Sequence, residues 1–145
     1  MTNTLTAAAP LTLSRKANIA AWTAQIVLGV FMVVASGVPK LFGVAAATES
    51  FDLIGYGDWF MYFAGVCEVA GGIALVIPRL AGLAAAALTG LMIGAEIFTW
   101  AYLDTTYWYT PVILGVLFAA VAYVRRASIA ALWPRNPGDS EAAGA

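Results

Sequence analysis

Two glutamates, Glu68 and Glu96, stand inside long apolar runs of a chain that contains no histidine. A carboxylate in hydrocarbon is costly, so each is expected to face the interior of a helix bundle. Counted at about 1.5 Å per residue from Trp59 and Tyr102, they lie roughly 14 and 9 Å below one common surface, close enough in depth to share a cavity. Repulsion and the cost of burying charge then leave at least one protonated near neutral pH, which places an acid beside a base. Without histidine the usual neutral-pH base and the commonest metal and haem ligand are missing. Chemistry falls to carboxylates, aromatic rings and backbone. A structural role is equally open, in which each glutamate is neutral and hydrogen-bonds across helices to fix their packing.

Residues three and four apart share a helix face, so the neighbours of each acid describe its surroundings. Around Glu68 lie Ala64, Gly65, Gly71 and Gly72, small residues that permit close helix approach or leave room for a ligand. Around Glu96 lie Met92, Ile93, Thr99 and Trp100. The Trp100 ring could stabilise a developing cation by roughly 2 kcal/mol in a dry site, or serve as an interfacial belt residue. On the preceding apolar run Trp22, Gln25, Gly29 and Met32 form a stripe, and Gln25 is a buried amide that needs a partner. Lys40 is expected either to pair with Asp104, Asp58 or a lipid phosphate, or to reach solvent on its own. Tyr102, Tyr107, Trp108 and Tyr109 read as an aromatic belt or as a lid. The candidate catalytic residues are thus Glu68 and Glu96. The candidate substrate-binding residues are Trp100, Gln25, Trp22, Met92, Tyr102, Asp104 and Lys40. The lone Cys67 offers neither a disulfide framework nor metal-type spacing, and no metal or other cofactor is expected.

The elements that carry these residues follow from composition. Of 145 residues 62% are hydrophobic and 10% charged, where a soluble domain carries about a quarter charged. The apolar residues fall in blocks long enough to cross a bilayer. The expected architecture is all-α, an integral membrane four-helix bundle with spans over about 19–37, 59–77, 80–102 and 107–124. Residues 1–17 read as a flexible tail, 128–145 as an interfacial or disordered one that includes Trp133, and the segment before Asp58 as an interfacial or re-entrant piece. Pro39 should end or kink the first span, and Pro78-Arg79 makes the second and third an antiparallel pair. Arg15, Lys16, Arg79, Arg125, Arg126 and Arg135 fall on one side and Lys40 on the other, so both termini are expected in the cytoplasm and the protein in the cell membrane. Scattered basic residues without a patch disfavour nucleic acid. Without an internal repeat, a transporter built from inverted halves of one chain is disfavoured, while the Gly/Ala-rich faces permit a homo-oligomer.

Gly37-Val38-Pro39-Lys40-Leu41, the run GVCEVAGG from Gly65 to Gly72, Ile77-Pro78-Arg79 and Met92-Ile93-Gly94-Ala95 together carry a family likeness. From about Trp22 to Val124 the chain resembles the DoxX-like family of four-helix membrane proteins. The resemblance implies the same fold and makes Lys40, Glu68 and Gly72 family-typical positions. Members are associated with quinone-linked thiosulfate oxidation or membrane redox-stress complexes, which implies an accessory-subunit role. Where such proteins commonly have a histidine near the end of the third helix, this chain has Glu96, Thr99 and Trp100. In plan it is also similar to sterol-isomerase-type membrane domains, in which a buried acid protonates an alkene. The leading expectation is an acid-base catalyst, an isomerase or cyclase, acting with Glu68, Glu96 and Trp100 on a lipophilic isoprenoid-like substrate. Its alternatives are the accessory subunit and a small oligomeric transporter, and the expected partners are the lipophilic ligand and membrane lipids.

Overall fold

The computed structural model describes residues 13–132, and the readings made for 1–12, Trp133, Arg135 and the rest of 133–145 lie outside them. Helix α1 (Arg15–Val30) starts at Ser14, whose hydroxyl accepts the Ala17 N–H at 3.3 Å and so satisfies one of the free donors of the first turn. The chain then widens into a π-helix over Phe31–Gly37, in which the Val38 N–H reaches back five residues to Val33 O. In a regular α-helix the Pro39 ring would collide with the Ala35 carbonyl, and the wider turn takes up that clash. Pro39 therefore does not end the first span. The helix continues as α2 (Val38–Leu41), and the whole stretch from Arg15 to Leu41 is one 27-residue apolar rod.

The segment expected as an interfacial piece forms α3 (Ala45–Ile54) between turns at Gly43, Gly55 and Gly57, whose φ values of 61°, 77° and 84° suit glycine. Helices α4 (Asp58–Leu75) and α5 (Ala81–Tyr102) are joined by the short turn around Pro78. The Asp104 carboxylate caps a 3-10 turn at Thr105–Tyr107, followed by α6 (Tyr109–Val124) and α7 (Arg126–Ala131). Four stretches, Arg15–Leu41, Asp58–Leu75, Ala81–Tyr102 and Thr105–Val124, are long and apolar enough to span a membrane. They run alternately up and down, which gathers Arg15, Lys16, Arg79, Arg125 and Arg126 at one end, here the basic end, and Tyr56, Trp59, Trp100, Tyr102, Tyr107, Trp108 and Tyr109 at the other.

The spans pack in the ring order of the first span, α4, α5 and α6, with the first span against α4 and α5 against α6 the two most closely associated pairs. Within lipid no hydrophobic force drives helices together, so close fit has to. Glycine supplies it where the first span crosses α4: a Cβ on Gly29 would lie 2.7 Å from Gly72 O, and one on Gly37 would lie 3.0 Å from Gly65 O. Met32, Leu75, Leu88 and Phe118 fill the centre towards the basic end. Ile26, Val34, Val66, Ile97 and Val116 point outward, a surface that belongs in hydrocarbon and not in water.

Candidate functional site

Helices α4 and α5 touch at Gly71, where an added Cβ would stand 2.7 Å from the Leu88 side chain, and again near the aromatic end, where the Phe60 and Phe98 rings are 5.2 Å apart. Between those contacts they part around a cavity of about 330 Å³. The space exists because α5 presents Gly90 and Gly94 to it, positions at which a Cβ would meet no atom within 4 Å. Phe51 and Ile54 of α3 line it from the aromatic end, and Lys40 and Glu68 are the charged groups in an otherwise mostly apolar wall.

Lys40 Nζ donates to Glu68 Oε2 at 2.7 Å and Oε1 at 3.0 Å, and to Ser36 Oγ at 3.1 Å and Ser36 O at 3.3 Å. The lysine and glutamate side chains are 18% and 7% exposed. Gly65 makes the pairing possible, since the Cβ it lacks would lie 3.0 Å from Lys40 Cβ. Lys40 is therefore neither a free lysine nor the partner of Asp58 or Asp104. Its ammonium stands against both carboxyl oxygens of Glu68. A carboxylate accepts about four hydrogen bonds. Lys40 takes two of them here, which leaves acceptor capacity for a ligand.

Glu96 does not share this cavity. It lies in a separate apolar groove between α5 and α6 with Met92, Ile93 and Val112. Cavity residues Gly94 and Phe98 each sit two positions from Glu96, about 200° around the helix, so the acid points to the opposite side. Glu96 Oε1 accepts the Trp100 Nε1–H at 2.6 Å, while Oε2 is buried without a partner. The indole thus meets the acid through its edge and stands apart from the Lys40–Glu68 pair. Met92 also belongs to the buried core.

Gln25 and Trp22 sit roughly 22 and 27 Å along the helix from Lys40, towards the basic end. Gln25 is fully buried; its Nε2 donates to Leu75 O at 2.8 Å, and its Oε1 accepts Arg125 Nε at 2.7 Å. Arg125 also donates to Asn18 Oδ1 at 3.0 Å and lies 5.1 Å from the Trp22 ring centre. Burial lowers the Arg125 pKa, though arginine keeps its charge at any physiological pH. These residues tie α1, α4 and the end of α6 together and do not line the cavity that holds Lys40 and Glu68. Tyr102 stacks on the cavity residue Phe98 at 5.8 Å and meets Tyr56 at 6.4 Å without itself lining the cavity, whereas Asp104 is an exposed cap for Thr106 N.

Sequence reasoning missed Ser36, Gly90, Gly94, Phe98 and the α3 residues. The repeat Gly90, Gly94, Phe98 at helical spacing, on the α5 face away from Glu96, was the signal that could have found the cavity.

Comparison with curated proteins returns no match, and comparison with solved structures returns none. The DoxX-like family profile matches residues 23–121. That stretch holds the second and third spans, most of the first and fourth, and both members of the ion pair, and the chain belongs to the DoxX-like family of membrane proteins.

Proposed function

We propose that the cavity binds a lipophilic, isoprenoid-like molecule with a carbonyl head and moves a proton within it, Lys40 serving as acid and Glu68 as base. The carrying observation is a lysine–glutamate pair, 2.7 Å apart, set in the wall of an otherwise mostly apolar cavity inside a membrane bundle. A carbonyl oxygen would replace the longest Lys40 contact, the 3.3 Å bond to Ser36 O. Glu68 then removes a proton from the carbon beside the carbonyl, the negative charge moves onto oxygen against the ammonium, and the proton returns at another carbon. Substrate and product are isomers, so no other reactant is consumed. Cation-forming cyclisation fits less well, because Glu68 is paired with Lys40 and Trp100 bonds Glu96 outside this cavity.

The working orientation puts the basic end in the cytoplasm of a cell membrane, as the excess of Lys and Arg there favours. The deciding experiment uses the protein in liposomes with an unsaturated prenyl ketone in D2O, and follows deuterium uptake beside the carbonyl by mass spectrometry. Wild type should catalyse exchange, and folded Glu68→Gln should lose it by about 10²-fold or more. Equal exchange by the two proteins would end the proposal. A second reading is favoured by the phenyl rings of Phe51, Phe60 and Phe98 near the pair, which suit a flat ring. On that reading the site holds a quinone for a partner complex, and quinone should copurify with wild type but not with Lys40→Met.

A further inference from the structure

We propose that the cavity opens sideways into the hydrocarbon layer between Phe63 and Gly90, and that its ligand is a long-tailed membrane lipid whose tail lies in that opening. This rests on the ligand-site reading above and adds its entry route and substrate class. Among the lining residues Phe63 and Gly90 are the exposed ones. Phe63, 55% exposed, borders the outward stripe of Tyr62 and Val66 on α4, and Gly90 falls within the outward stripe of Leu83, Ile93 and Ile97 on α5.

Depth decides what that exposure faces. Gly90 lies twelve residues, roughly 18 Å, below Tyr102 in a helix about 33 Å long, which places it near the middle of a hydrocarbon layer about 30 Å thick. Phe63 lies roughly 8 Å below the start of α4. Both therefore meet acyl chains, while the water-facing route is covered by α3 and by the Phe60, Phe98 and Tyr102 rings. At about 330 Å³ the cavity is at the small end of the range for ligand sites, roughly 300–1,000 Å³. It holds a head group and little more, so a longer tail must leave through the gap that the missing Gly90 side chain provides.

The test compares two unsaturated prenyl ketones, one with a single isoprene unit and one with four, binding to the full chain in liposomes. Gly90→Phe should weaken the four-unit ketone by at least about tenfold more than it weakens the one-unit ketone. In wild type, a diazirine midway along the longer tail should label the segments containing Phe63 and Gly90, a readout that does not depend on the variant folding. Equal effects of Gly90→Phe on both ketones, or labelling confined to α3, would overturn the lateral opening while leaving the head-group site intact. Binding of neither ketone to wild type would overturn the site and the opening together.

Discussion

Replacing Lys40 by Met should cost the protein several kcal/mol, and most of that should return when Glu68 is replaced as well. The two charges meet at 2.7 Å with 18% and 7% of their side chains exposed. At an effective dielectric constant near 20, the gross attraction at that distance is about 6 kcal/mol. Desolvation of both ions offsets most of it, so the pair stabilises the fold little compared with two apolar side chains. Removing only the lysine is different, because Glu68 stays behind in an apolar wall. The expected loss is about 3 kcal/mol, the lower end of the range for a broken buried pair, since Lys40 is partly exposed. The double variant Lys40→Met/Glu68→Leu should recover to within about 1 kcal/mol of wild type, giving a coupling of at least about 2 kcal/mol. Unfolding in mixed detergent micelles, followed by tryptophan fluorescence, measures all four corners of the cycle. If Lys40→Met costs under about 1 kcal/mol, or the double variant is worse than both singles, the pair is not the desolvated contact inferred here.

Other perturbations separate packing from the site. Gly72→Ala would set a methyl 2.8 Å from Gly29 O, and the backbone shift should destabilise by about 1–3 kcal/mol in the same assay. Gln25→Leu strips a partner from both Leu75 O and Arg125 Nε; a loss of at least about 1–3 kcal/mol is expected, with ketone binding unchanged. Trp100→Phe removes the donor to Glu96 but lies outside the Lys40–Glu68 cavity, so deuterium exchange should stay within about twofold of wild type. A larger drop would show that the two glutamates act together after all.

The four apolar spans, their alternation and the basic end were legible because hydrocarbon tolerates few charges and imposes a minimum helix length. The pairing of the charged residues was not. Glu68 and Glu96 were matched by depth, but depth says nothing about rotation around the helix, and Glu96 points about 200° from the α5 residues that face Glu68. Lys40 was read as an end-of-span lysine because Pro39 looked like a terminator. The π-helix carries the chain through the proline, and that local geometry has no period a sequence can display. Gln25 was correctly seen to need a partner, yet Arg125 lies 100 positions away, and only the tertiary fold brings the two together. Gly90 and Gly94 were unremarkable among many small residues. Their role is to be empty space, which becomes visible only once neighbouring helices are in place.

The widened turns over Phe31–Gly37 also set the phase of everything after them. An α-helix advances about 100° per residue, and a π-helical stretch is equivalent to one residue inserted into that screw. Winding the same seven residues as a regular helix would turn Lys40 by about that angle, away from Glu68, with every charged residue still present. The winding of this short stretch therefore sets the ion pair as surely as the identity of its members, and a relative with the same lysine and glutamate but one residue fewer between 31 and 37 would need a regular helix there to keep the two in register.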